Sequence, residues 1–215
     1  MTYEPRQLLQ AIKMAAGRPG PQWVIPVGNP AFAWLRPVAT APELQDPRDV
    51  TRMTQWRNKF KTSFLHEFVA NDERTAKWLA QTIGPDDTQI MFMIDDLGGR
   101  TFGQVGVAFI NWDTRSGEAN AILRGEEAPR GAMTAALKTL LNWARGYLGL
   151  QTLTVRVRSD NPACEFYRKM GFVEFKRVPL RQMIRPDGPQ WVEAPDEAPG
   201  ALCLVYMKLA DGESQ

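Results

Sequence analysis

Few residues in this chain could carry side-chain chemistry, and their scarcity narrows the reactions open to it. Among 215 residues there is one histidine, His66, and two cysteines, Cys164 and Cys203. That inventory cannot build a His/Cys metal cluster or a disulfide framework. A Ser-His-Asp or Cys-His mechanism would have to run through His66. The most informative stretch is RSDNPACEFYRKMGFVE, residues 158–174. There Asn161 suits a helix N-cap, Pro162 the first helical position and Gly171 the stop. Capping accounts for Asn161 and Gly171 but not for Ala163 followed four residues later by Tyr167. A second stretch, APRGAMT at residues 128–134, sets Gly131 before an apolar helical pattern. Taken alone it reads as a Pro/Gly turn that caps a helix.

The elements that must hold these residues follow from composition and periodicity. The chain has 26 Lys+Arg against 24 Asp+Glu, a net charge of +2, with 44% hydrophobic and 23% charged residues. This excludes a strongly basic nucleic-acid scaffold and an acidic disordered tail. No apolar run approaches the ~18 residues of a membrane helix, and the N-terminus lacks the pattern of a signal peptide. A cytoplasmic protein without membrane or nucleic-acid partner is expected. Eight of the 16 prolines lie at or before Pro47, and five more lie from Pro179 onward, so residues 48–178 should hold most of the regular structure. Residues 1–30 are expected to form a short helix and a Pro-rich arm. Residues 31–215 should form a single domain carrying a long loop at 184–200. Helices are expected at 49–64, 71–83, 133–148 and 161–171, and strands at 31–37, 89–95, 102–112, 118–124, 153–159, 172–178 and 201–209. The strand–loop–helix–strand unit around Gly131 implies a right-handed crossover between two parallel neighbours. The fold class is α/β, with a mixed, mostly antiparallel sheet, one parallel pair and helices on both faces.

The run NPACEFYRKMGF, residues 161–172, resembles the final motif of the GNAT superfamily of acyl-CoA-dependent N-acetyltransferases. The family usually carries Gln/Arg-x-x-Gly-x-Gly/Ala between a strand and its longest helix. Here Gly131 stands where the first Gly belongs, Ala128 replaces the Gln/Arg, and Met133 replaces the last small residue. The resemblance covers most of residues 31–209. It implies an acyl-CoA N-acyltransferase fold that takes acetyl-CoA as donor and needs no metal. The pyrophosphate would lie on main-chain N–H groups of Arg130, Gly131, Ala132, Met133 and Thr134, which need no particular side chains. Asn161 joins this coenzyme-binding set. The pantetheine amides would pair with the exposed backbone of Ile122, Leu123 and Arg124, between parallel strands at 118–124 and 153–159.

The implied chemistry assigns further roles. The Tyr167 hydroxyl can protonate the leaving thiolate at little penalty, since a phenol titrates near 10 and a thiol near 8.5. The amine must be neutral to attack, so a base is needed. Strand alternation puts Glu118, Asn120, Ile122 and Arg124 on one face, which makes Glu118 the candidate base, through water, with Asn120 orienting the acceptor. Glu126 and Glu127 in the phosphate loop, and His66, are rivals. Cys164 is read as packing. Trp56, Arg57 and Asn58, followed by an aromatic-rich segment to Phe68, look like the acceptor side of ribosomal-protein N-terminal and nucleotide-sugar N-acetyltransferases. Trp56 also reads as core, and Arg57 and Asn58 as solvated. The acceptor is thus the primary amine of a small molecule, with a nucleotide-linked amino sugar preferred. The alternatives are a protein N-terminal acetyltransferase and a non-catalytic acyl-CoA-binding or partner-binding module. The arm and the aromatics leave room for a homodimer.

Overall fold

The computed structural model describes residues 4–20, 23–197 and 202–210. The chain divides into two compact units, Met1–Thr54 with Asn71–Gln151, and Gln55–Ala70 with Thr152–Gln215. The class is α/β with a mixed, mostly antiparallel sheet.

The first unit carries α1 (Pro5–Ala15), β1 (Ile25–Val27), β2 (Ala33–Pro37), most of α2 (Pro47–Lys59), α3 (Asp72–Trp78), β3 (Ile90–Asp96), β4 (Thr101–Asn111), β5 (Ser116–Arg124) and α4 (Ala132–Leu148). Its strands form an antiparallel meander, β1 on β2, β2 on β3, β3 on β4 and β4 on β5. In α4, Ala136, Leu137, Leu140, Leu141, Ala144 and Leu148 recur at spacings of three and four and are all buried, as one apolar helix face requires. On α1, the buried Lys13 Nζ donates to the carbonyls of Ile83 (2.6 Å), Asp86 (2.5 Å) and Gln89 (3.1 Å). Asn71 caps α3 by accepting from Arg74 N at 2.8 Å. Arg36 on β2 binds Asp49 of α2 (2.7 Å) and Asp95 of β3 (2.6 Å). Burial opposes the Arg36 charge, but hydrogen bonds to the two carboxylates outweigh it and raise its pKa. The strand over 25–27 was not expected within a Pro-rich arm. Among the described residues it pairs only with β2, and an edge strand tolerates Pro26.

The second unit carries the last turn of α2, β6 (Thr152–Arg158), α5 (Ala163–Lys169), β7 (Phe172–Arg185), β8 (Gly188–Glu193) and β9 (Cys203–Leu209). Here β9 lies between β6 and β7, and β7 pairs onward with β8, all antiparallel. The long loop expected at 184–200 is largely a hairpin instead. β7 runs on to Arg185 and returns as β8, with Leu180 facing Glu193 and Arg185 facing Gly188. Its prolines fit because Pro186 sits in the turn, while Pro189 needs no ladder N–H and offers its carbonyl to Glu67 N at 2.7 Å. Residues 198–200 lie outside the described residues.

Candidate active site

β4 pairs with β5 through Gly103↔Arg124, Gln104↔Leu123, Gly106↔Asn120, Val107↔Ala119 and Ala108↔Glu118. Between the second and third pairs, Val105 alone stands opposite both Ala121 and Ile122, which makes a β-bulge in β5. Ala121 takes the extra turn with φ of 52°, a left-handed conformation that costs a non-glycine residue about 1–2 kcal/mol. The bulge shifts the alternation by one. Directly paired residues share a face, so Glu118, Asn120 and Leu123 lie with Gln104 and Gly106, while Ala119 and Arg124 lie with Gly103. The expected common face of Glu118, Asn120, Ile122 and Arg124 therefore ends at Asn120.

The neighbours identify the two faces. A Cβ on Gly103 would lie 3.3 Å from Met133 Sδ, so its face carries α4. The Glu118 face is the opposite one, because Gln104 pairs with Met93, Met93 pairs with Arg36, and Arg36 holds α2. On that face Glu118 is 7% exposed, and its Oε1 accepts from Asn120 Nδ2 at 3.0 Å. A buried carboxylate and an amide thus meet three residues before the bulge.

The start of α4 is the second feature of this unit. Gly131 precedes the helix at φ of 85°, a conformation that favours glycine. A Cβ there would meet nothing within 4 Å. Ala132 N donates to Pro129 O and Ala135 N to Gly131 O, both normal turn bonds. Among the described residues, the N–H groups of Met133 and Thr134 have no acceptor, and the first turn has no acidic side chain. Unsatisfied donors at a helix start beside open space have the chemistry to receive an anion, and the main-chain donors present fit a pyrophosphate. Arg130 is exposed, as are Glu126 and Glu127. Among the described residues, no three of His, Cys, Asp and Glu come together to hold a metal ion. Among the described residues, no helix is long and apolar enough to cross a membrane.

In the second unit, Asn161 Oδ1 accepts from Ala163 N at 2.9 Å at the start of α5. Tyr167 is buried on that helix, 5.9 Å from the Phe172 ring, edge to face. Cys164 Sγ donates to Arg158 O, and burial pushes its thiol pKa up, the reverse of what a nucleophile needs. The three residues expected to face the acceptor are otherwise engaged. Trp56 is 1% exposed. The Arg57 guanidinium lies 3.9 Å from the Phe64 ring centre and 4.3 Å from that of Phe68, and donates to His66 O. Asn58 acts as a backbone mimic, donating to Ala70 O (2.9 Å) and accepting from Ala70 N (2.8 Å). These side chains shape the segment 60–70. His66 Nε2 lies 3.0 Å from Asp187 Oδ1 in the β7–β8 turn.

Residues without a sequence signature tie that segment down. Glu67 Oε1 accepts from Trp191 Nε1 (2.8 Å) and from the buried Arg158 Nη1 (3.1 Å). Trp191 N donates to Leu65 O at 2.6 Å. These partners come from three separate stretches of chain, and no local pattern marks them.

The family model of the acetyltransferase (GNAT) domain matches residues 35–173. Among solved structures, the chain is similar to a probable acetyltransferase of the GNAT family from Chromobacterium violaceum. The TM-score is 0.65 at 16% identity, covering 93% of this chain and 97% of that one. It is similar to a spermidine N-acetyltransferase from Vibrio cholerae in complex with CoA and spermine, with TM-score 0.58, 18% identity and coverage of 76% and 90%. It is also similar to the spermidine/spermine N-acetyltransferase SpeG of Vibrio cholerae in complex with manganese ions, with TM-score 0.58, 18% identity and coverage of 82% and 91%. No curated protein matches the sequence.

Proposed function

The chain belongs to the GNAT family of acetyltransferases, and we propose that it moves an acetyl group from acetyl-CoA to the primary amine of a small molecule. The observation that carries this reading is the bulged β5, which sets the buried Glu118 and the half-buried Asn120 beside backbone freed from regular pairing. Acetyl-CoA supplies the activated thioester. The N–H groups around Gly131, at Arg130, Ala132, Met133 and Thr134, hold its pyrophosphate, and Asn161, which accepts from Ala163 N just before α5, supports the coenzyme side. The backbone of Ile122, Leu123 and Arg124 pairs with the pantetheine amides and offers an N–H to the carbonyl oxygen as charge develops. Glu118, through water, takes the proton that the acceptor ammonium must lose, and Asn120 orients the amine. The amine nitrogen then bonds to the acetyl carbon as the C–S bond breaks, and the acylated nitrogen gives its remaining extra proton to solvent to leave a neutral amide. Tyr167 gives the sulfur its proton and regains one from solvent.

The acceptor reading changes with the geometry. A nucleotide-linked amino sugar was preferred for the ring of Trp56 and the charge of Arg57, and both are committed within the protein. A compact alkyl amine now fits better. The similar Vibrio cholerae structure is a spermidine N-acetyltransferase whose complex holds CoA and spermine, both spermidine and spermine being alkyl polyamines.

Calorimetry with CoA, followed by turnover of acetyl-CoA against spermidine, a nucleotide-linked amino sugar and short peptides, tests the proposal. Turnover of a small amine is expected. Acetylation of peptides alone would replace this reading by a protein N-terminal acetyltransferase. Coenzyme binding without turnover of any acceptor would replace it by a non-catalytic module, and no coenzyme binding at all would end it.

A further inference from the structure

A cavity of about 170 Å³ opens within the first unit, between α1, β1 and α4. The strand register fixes the side of the sheet on which it lies. Ile25 pairs with Leu35 and Pro37 with Phe92, so the floor residues Ile25, Pro37 and Phe92 point the same way. The Phe92 ring meets that of Trp143 edge to face at 5.3 Å, which puts the floor on the α4 side, opposite Glu118. Leu8 and Ile12, four apart on α1, form one wall, and Trp143 and Tyr147, four apart on α4, form the other. The half-exposed Trp23 completes the lining at the rim. The cavity is also remote from the start of α4. Trp143 and Tyr147 follow Gly131 by twelve and sixteen residues, which is roughly 18 and 24 Å of helix.

The lining selects the guest. None of the residues that line the cavity is charged, and their only polar side-chain groups are two indole N–H groups and one phenol hydroxyl. A charged guest would shed its water there without a partner. The rings of Trp23, Phe92, Trp143 and Tyr147 offer faces and edges against which another ring can pack. An apolar cavity of about 150 Å³ suffices to take up benzene, so the space here matches a single ring.

We propose that the cavity between α1, β1 and α4 is a second binding site, for a small uncharged aromatic molecule of one ring. It shares no residue with the acetyl-transfer site and does not depend on that reading. A bound ring touches α1, the sheet and α4 at once, so it ties the N-terminal helix to the rest of the unit.

The test is a fluorine NMR titration of the full chain with fluorobenzene, fluorocyclohexane and 4-fluorobenzoate. Wild type is expected to bind fluorobenzene, to bind fluorocyclohexane more weakly because it has no π face, and to bind the benzoate more weakly by about tenfold or more. Tyr147 is 65% exposed, so Tyr147→Ala leaves the core intact and removes one ring of the wall. It should weaken fluorobenzene by about two- to tenfold, the weight of one aromatic pair. Leu8→Trp fills the space and should abolish fluorobenzene binding. CoA affinity should be the same in wild type with and without fluorobenzene and in both variants. No fluorobenzene binding by wild type, equal binding of fluorocyclohexane or the benzoate, undiminished binding by Tyr147→Ala, or displacement of CoA by fluorobenzene would each overturn the assignment. A wild-type dimer that binds no fluorobenzene and dissociates in Tyr147→Ala would give the cavity to a second copy of the chain instead.

Discussion

Tyr167 lies on α5 and Asn161 two residues before its start, and the two should fail in different ways when changed. Tyr167 is buried against Phe172, so Tyr167→Phe keeps the ring packing and loses only the hydroxyl. If that hydroxyl protonates the departing sulfur, CoA affinity stays near wild type while turnover falls on the order of 10²–10⁴-fold, the usual weight of a general acid. Wild-type turnover in the Phe variant, with the chemical step limiting, would assign the proton to solvent. Asn161→Ala removes the acceptor of the Ala163 N–H. It should cost about 1 kcal/mol of stability, seen as a lower melting temperature, together with weaker coenzyme binding. At this scale the motif run 161–172 was readable because its residues are local and its spacing is helical. Arg57 and Asn58 were not. Charge and amide groups on a helix read as surface, and only the fold reveals that Phe64, Phe68, His66 and Ala70 return to take them up.

Helices and their apolar faces were legible because six residues of α4 recur on one stripe, and most strands because their residues alternate. What escaped depends on backbone geometry and distant partners. Alanine carries no sequence mark for φ > 0, so the bulge at Ala121, and with it the true face of Leu123 and Arg124, could not be read. A pair of substitutions tests whether the bulge positions the coenzyme strip. Ala121→Gly adopts the left-handed conformation freely and should keep CoA affinity. Ala121→Val sets a β-branched side chain where it is strongly disfavoured. It should lower stability by about 1–3 kcal/mol and weaken CoA as the strand re-registers. Equal CoA affinities in the two variants would detach the bulge from coenzyme binding. The β7–β8 hairpin escaped because its prolines read as loop. Gly188 holds it against the segment 60–70: at φ of 141°, a Cβ would lie 2.3 Å from Glu67 O. Gly188→Ala should displace Glu67 and expose its backbone N–H to exchange. Unchanged hydrogen-exchange protection at Glu67 would show that the contact is dispensable.

The charges of the whole molecule nearly cancel, at +2 at pH 7, so the onset of its response to acid depends on where individual carboxylates sit. Five have pKa values held below their ordinary 3.8 or 4.5. Asp46 is held down by its hydrogen bond from Arg48, Asp160 by that from Arg158, and Glu174 by that from Arg177. Asp96 is held by the Arg100 backbone N–H. Burial works against Asp86, but hydrogen bonds from Thr88 and Gln89 outweigh it. A folded pKa below the unfolded one means that the unfolded chain binds more protons as pH falls. The stabilisation is complete above the unfolded values and is lost as pH drops through the folded ones. The urea midpoint should therefore stay flat between about pH 5 and pH 8 and fall below pH 4. Salt separates the contributions. The Arg48–Asp46 and Arg177–Glu174 pairs are exposed to solvent, so at about 1 M salt, where the Debye length is about 3 Å, their share of the fall should vanish. The share of Asp86 should persist, because Thr88 and Gln89 hold it with neutral donors at 2.7 and 2.5 Å. A midpoint still unchanged at pH 3, or an acid transition that salt removes entirely, would show that these hydrogen-bonded carboxylates do not set the acid limit of the fold.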